Sequence, residues 1–179
     1  VPVLGGVGAA AWAARAQVGL INWIGLSGAL AVLLAVLMLD LAIYAQHRAM
    51  HRWRPLWRLH AVHHHDHDLD VTTALRFHPG EIRVSTLYKA AAAALIGAPV
   101  VAVVIHETLL SVMAIFNHAN IALPPRVERR VRPVLVTPTM HARHHSIVRG
   151  EHDANYGNVL SLWDRLFGSY CPEPDYAGP

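Results

Sequence analysis

Cysteine and lysine are almost missing from this chain: Cys171 and Lys89 are the only examples among 179 residues. A lone thiol excludes an internal disulfide and any metal site that needs two or more thiolates. Basic charge therefore rests on arginine, with no basic stripe interleaved with aromatics. The high pI near 9.4 is thus no sign of nucleic acid, and no nucleic-acid partner is expected. Also absent are a Gly-x-Ser-x-Gly elbow, a glycine-rich phosphate loop and a His-Glu-x-x-His pair, so no nucleophile–base signature competes with other readings. No linker-like run divides the chain, and residues 1–179 are expected to form a single domain. The apolar start has no charged n-region, hence no signal-peptide pattern.

Histidine is abundant instead, with 14 copies. Eight of them fall in three boxes: His47-Arg-Ala-Met-His51, His60-Ala-Val-His63-His64 and His141-Ala-Arg-His144-His145. Spacings of three and four put imidazoles on one face of a helix, where two rings can reach one ion. Neutral imidazole binds iron, zinc, copper and nickel alike, so the boxes do not name their metal. A zinc site closes with about four ligands. Eight box histidines exceed one such site and suit a pair of metals, and an iron pair could use dioxygen. The expected ligands are His47, His51, His60, His63, His64, His141, His144 and His145, with His78 and His118 as candidates to complete the set. His65 and His67 are expected on solvated surface, His106 at the far turn of a helical hairpin, and His152 in a loop near the site.

Long apolar runs are the other abundant feature. Residues 24–45 carry no charge except Asp40, long enough for a helix to cross a hydrocarbon core. A second apolar stretch, 85–121, is interrupted near Gly97-Ala98-Pro99 and His106-Glu107 and is read as a tight hairpin of two short crossings. Residues 3–20 are Gly/Ala-rich and read as a partial or interfacial helix. Trp12, Trp23, Trp53 and Trp57 fall near the expected interfaces, and residues 155–168 are read as a short amphipathic helix ending at Gly168. Of the 15 Lys and Arg, only Arg15 precedes the first run; the rest lie between Arg48 and Lys89 or between Arg126 and Arg165. The positive-inside rule puts both regions in the cytoplasm. All three boxes then lie on one side of the membrane. The expected fold is all-α: an integral membrane helical bundle with a cytosolic histidine-rich helical cap.

Asp40 lies seven residues before His47, on the same helical face within an apolar segment. Carboxylates in such places are costly and usually functional. It is expected to accept from the outer N–H of a ligand imidazole, a role also assigned to Glu81 and Asn155.

The ordered set of motifs resembles the fatty acid hydroxylase/sterol desaturase superfamily of membrane di-iron enzymes. The likeness rests on Asp40 with His47-Arg-x-x-His51, Leu56-Trp-Arg-x-His60-x-Val-His63-His64 and Arg76-Phe-His-Pro-x-Glu81. It continues through Asn117-His118-Ala-Asn120, Thr137-Pro-x-x-His141-x-x-His144-His145, Asn155-Tyr-Gly and Leu162-Trp-Asp-Arg-Leu-Phe-Gly168. It implies two non-haem irons, for which zinc can substitute, with dioxygen as co-substrate. The implied reaction is hydroxylation or desaturation of a C–H bond in a sterol, fatty acyl or related lipid. Electrons would come from a separate protein, cytochrome b5-like or a ferredoxin with its reductase. The chain departs from the fatty acid 2-hydroxylases, which have a further His-x-x-x-His: here His118 has Ala114 and Ala122 at the flanking positions. The membrane part is shorter than usual, as expected of an N-terminally truncated or minimal member. The competing readings are a zinc-dependent membrane lipid hydrolase, which leaves five box histidines idle, and a metal-binding or transport protein, whose ligands should spread across the membrane's depth.

Overall fold

The computed structural model describes residues 2–66 and 69–172, so His67 lies outside the described residues. Ten α-helices and one 3-10 turn make up its regular structure. In chain order they are α1 (Pro2–Ala16), α2 (Leu20–Trp23), α3 (Gly28–Arg52), α4 (Arg54–His64), α5 (Pro79–Ile96), α6 (Val100–His118), α7 (Pro125–Val131), α8 (Pro138–His144), α9 (Arg149–His152) and α10 (Leu162–Leu166). No strand forms among the described residues, and an isolated bridge joins Leu135 and Leu160. The all-α expectation holds.

Local chemistry sets the helix ends. Proline begins α5, α7 and α8, where its missing N–H costs nothing. The His78 side chain caps α5 by accepting from the Gly80 N–H, and Thr137 caps α8. Gly97, left-handed at φ +69°, ends α5, and Pro99 follows, so the chain reverses into α6. The Lys89 ammonium donates to Glu107 Oε2 at 2.8 Å across this hairpin, with the two residues at matching distances from the turn. The helical hairpin read in the sequence is present, but only its α6 arm is long and apolar enough to cross a membrane, and α5 begins six residues earlier than the apolar stretch because Pro79 and its cap nucleate it.

Two helices, α3 and α6, are long and apolar enough to cross a membrane. Only 33% of the most apolar window of α3 and 28% of that of α6 are buried within the protein, so these are not the enclosed core helices of a soluble domain. Leu30, Leu33 and Leu34 of α3 and Val101, Val104, Val112 and Ile115 of α6 point outward. The chain is accordingly membrane-associated. Trp12, Trp23 and Trp53 are exposed, Trp57 less so.

The described residues fall into two compact units: Val1–His60 with Phe77–Ser111, and Ala61–Arg76 with Val112–Pro179. The core of the first gathers Ala10, Ala31, Ala35, Ala93, Ala98 and Ala102 around Ile21, Leu39, Ile96 and Val103. Small side chains let backbones approach closely. The limit is reached where Gly19 meets Gly97: a Cβ on Gly19 would lie 2.3 Å from the Gly97 nitrogen, and Gly19 also has φ +99°. In the second unit Asp164 is fully buried; its Oδ1 accepts from Tyr156 N and its Oδ2 from Gly157 N, each at 2.8 Å, and Ser169 Oγ donates to Oδ1 at 2.7 Å. That clamp overrides the helix expected over residues 155–168. Asn155, at φ +53°, starts an irregular loop, and only Leu162–Leu166 is helical.

Gly19→Ala is expected to destabilise the protein by about 2–4 kcal/mol, through backbone strain and overpacking together. Gly8→Ala meets nothing within 4 Å and should leave stability unchanged or raise it by up to about 1 kcal/mol. Thermal unfolding of both variants in detergent checks the pair.

Candidate metal centre

The first unit brings His47 and His51 of α3 together with His60 of α4. Their ring centroids are 5.0–5.2 Å apart, and His47 Nε2 lies 3.1 Å from His60 Nε2. Each offers a ligand nitrogen within 4.8 Å of the others. Trp57 packs on His51 and His60, closing one side. Glu81, in the first turn of α5 and ahead of its apolar stretch, meets His60 Nδ1 at 2.8 Å. It is 3% exposed, and burial pushes its carboxyl up to about 7 against the pull of the His47 and His78 imidazoles. Glu81 thus lies against the Nδ1 of a box imidazole.

The second unit gathers His63, His118, His141 and His145, whose ligand nitrogens also lie within 4.8 Å of one another. His118 Nε2 is 3.1 Å from His63 Nε2 and 3.0 Å from His141 Nε2. His64 packs on His144 and His145, with centroids 4.7 and 4.2 Å away. The box 60–64 is therefore divided: His60 belongs with α3, and His63, one turn on, belongs with α6 and α8. Spacing alone could not separate these memberships, because residues three apart share a helical face. These histidines cluster at helix ends: His63 and His64 in the last turn of α4, His118 closing α6, His141 and His144 in the last turn of α8.

The donor set fits a metal ion on its own hydrogen bonding. His63 Nδ1 lies 3.2 Å from Arg76 O, His118 Nδ1 2.7 Å from Ala114 O, and His144 Nδ1 2.7 Å from Ala154 O. A carbonyl only accepts, so each Nδ1 carries the proton, and each neutral ring presents a lone pair at Nε2. The lone pairs of His63 and His118 then face one another at 3.1 Å, an arrangement that repels unless a cation lies between them. Metal–nitrogen bonds of about 2.1 Å meeting at right angles place neighbouring nitrogens about 3.0 Å apart.

The remaining expected residues are placed differently. His78 caps α5 and belongs to neither group of close donors among the described residues. His65 is exposed. His152 packs against His64 at 4.8 Å, and burial lowers its pKa despite Asp153. The Asn155 side chain bonds the main chain of Met140 and Cys171. Asp40 faces the His106 imidazole at 4.0 Å. His106 itself is not at the hairpin turn but two turns inside α6 and 2% exposed. Sequence reading missed this pairing; the signal was that His106 and Glu107 interrupt an apolar helix, as Asp40 does. It also missed the Thr137 hydroxyl donating to buried Glu128 Oε1 at 2.6 Å, which ties α8 to α7.

Glu81→Gln keeps an acceptor for His60 but removes the charge. Metal affinity at the His47–His51–His60 group is expected to fall about 10–100-fold, measured by chelator competition, with helix content unchanged.

Comparison with known proteins agrees with this construction. Residues 32–169 match the family model described as fatty acid hydroxylase. The ornithine lipid hydroxylase OlsE of Rhizobium tropici is 32% identical over 150 residues, covering 80% of this chain and 42% of that protein. The alkylglycerol monooxygenase of Danio rerio is 34% identical, covering 79% and 31%, and that of Homo sapiens 32% identical, covering 78% and 30%. The chain thus spans less than half the length of these relatives. No solved structure matches. The family match runs from within α3 to just past α10 and takes in every box histidine, and the chain belongs to the fatty acid hydroxylase family.

Proposed function

We propose that the protein is a lipid hydroxylase that uses dioxygen and two irons. The observation that carries this is the pair of imidazole groups: His47, His51 and His60 backed by Glu81, and His63, His118, His141 and His145 with outer nitrogens engaged by main-chain carbonyls. His64 and His144 complete the set. Nitrogen ligands without thiolate suit iron among other metals, the hydroxylase and monooxygenase relatives support the use of a metal with dioxygen, and iron is our choice among the metals that fit. Those relatives are named for ornithine lipid and alkylglycerol. We take the substrate to be a membrane lipid with a polar head, hydroxylated rather than desaturated.

Two irons at these residues would supply the reductive activation of dioxygen and the cleavage of a substrate C–H bond. The balance is R–H + O2 + 2 electrons + 2 protons giving R–OH + H2O. The chain's own part is to hold each ligand ring in one tautomer. Arg76 O, Ala114 O and Ala154 O keep protons on Nδ1 of His63, His118 and His144, and Glu81 keeps one on His60 Nδ1, so each Nε2 stays available. The outward apolar faces of α3 and α6 hold the protein in the lipid phase from which the substrate comes. The arginine distribution supports a centre on the cytoplasmic side. A separate protein, cytochrome b5-like or a ferredoxin with its reductase, supplies electrons there. Residues 1–179 act as one functional domain.

Anaerobically purified protein should carry two irons per chain and convert lipid to hydroxylated product only with reductant and oxygen. Zinc alone with oxygen-independent hydrolysis overturns the reading. Metal content decides the ligand assignment separately: His141→Ala should bind at most one iron per chain, while His65→Ala keeps both. Full loading of His141→Ala contradicts the assignment.

A further inference from the structure

The first unit buries a second set of ionisable groups that the histidine centre does not use. Asp40 of α3 is 4% exposed, His106 of α6 2% and Glu107 6%. Lys89 of α5 donates to Glu107 at 2.8 Å with its side chain 12% exposed. These residues stand midway along helices whose outer faces are apolar. Burying charge in such a place is expensive and adds little stability even when paired. His106 Nε2 is buried without a hydrogen-bond partner and faces Asp40 Oδ1 at 4.0 Å, too long for a direct bond and the right span for a bridging water. A cavity of about 10 Å³, lined by Leu39, Tyr88, Lys89, Val103, His106 and Glu107, adjoins the His106 side of this pair, and one water fits a space of about that size. The other titratable group there, the Tyr88 hydroxyl, donates to Ala42 O.

A polar line leads from this set toward the imidazoles. Lys89, Ser85 and Glu81 recur every four residues on α5 and so share one face, with about 6 Å of rise per step. Each meets a different helix: Lys89 bonds Glu107, Ser85 accepts from Gln46 Nε2 at 2.7 Å, and Glu81 meets His60. Gln46 is the neighbour of His47. The face opposite this line on the same helix carries exposed Leu87.

We propose that Asp40, His106, Lys89 and Glu107 form a proton-holding station inside the membrane part, supplying the two protons that hydroxylation consumes. This rests on the oxygenase reading above. Asp40 and His106, facing one another at 4.0 Å, share one exchangeable proton through a bridging water. The Lys89–Glu107 pair adds no net charge, so the set carries one negative charge from the moment that proton leaves until another takes its place. The polar face of α5 is its route toward the histidine centre, and solvent replaces it; no electron moves in this step.

Two measurements test the station. In metal-free protein, the infrared bands of the Asp40 carboxyl and the His106 ring should change together with pH and shift in D2O, and Asp40→Asn should abolish the change at His106. In iron-loaded protein, His106→Ala and Asp40→Asn should keep their metal and turn over at least tenfold more slowly. Added imidazoles should restore His106→Ala to a degree that follows the pKa of the added base, which a structural filler would not do. Wild-type turnover in both variants overturns the proposal, as does slow turnover indifferent to the pKa of the rescuing base, or bands that never couple. If wild-type protein makes no oxygen-dependent product, the oxygenase reading fails, while the infrared coupling still decides whether these residues hold a proton.

Discussion

Everything about the candidate centre depends on the hydrogen bonds made by the outer nitrogens of its imidazoles. A ring with Nδ1–H held by a carbonyl can offer only Nε2 inward, and it can offer only a lone pair there. Three rings in the second unit are fixed this way, and in the first unit Glu81 does the same for His60. Two of the three acceptors in the second unit lie outside the elements that carry the rings they hold: Arg76 O serves His63 and Ala154 O serves His144. The loops are therefore as much a part of the centre as the helices. The Asp164 clamp belongs to the same logic, since it fixes the turn that begins at Asn155, immediately after Ala154.

Much of this was legible in the sequence. The boxes are dense, their spacings are helical, and apolar runs of membrane length leave few alternatives for residues 24–45 or for the hairpin around Gly97. Glu81 follows from its motif. Other features were not legible because they depend on which of several equivalent faces is used. His60 and His63 look identical in register, yet each joins different partners. His118 had one histidine where relatives with a further pair have two, and its place became clear only from the 3.0 and 3.1 Å distances to His141 and His63. Asn155 reads as a polar neighbour of the site, but a positive φ and bonds to main chain make it a backbone fixture. Asp40 shares a helical face with His47, and it also faces a histidine from another helix, His106.

The misplacement of His106 has a general physical cause. Polar residues in an apolar stretch look like a break, and a break looks like a turn. Gly97 and Pro99 are true breakers because they act on the backbone. His106 and Glu107 act only through side chains, so α6 runs through them, with Lys89 bonded to Glu107 and Asp40 facing His106. Distinguishing the two kinds of interruption, by whether the residue alters φ or merely adds polarity, would have put the imidazole inside the helix from the start.

The position of the boxes at helix ends has an electrostatic meaning. An all-imidazole shell is neutral, so by itself it leaves the whole charge of a bound cation uncompensated, with neither thiolate nor carboxylate among the ligands. The C-terminus of a helix carries roughly half a negative charge on its unsatisfied carbonyls. In the second unit the quartet is drawn from the last turns or caps of α4, α6 and α8. Three such termini amount to about one and a half negative charges of fixed dipole, supplied by the backbone and indifferent to pH. The fold thus furnishes the counter-charge that the side chains omit.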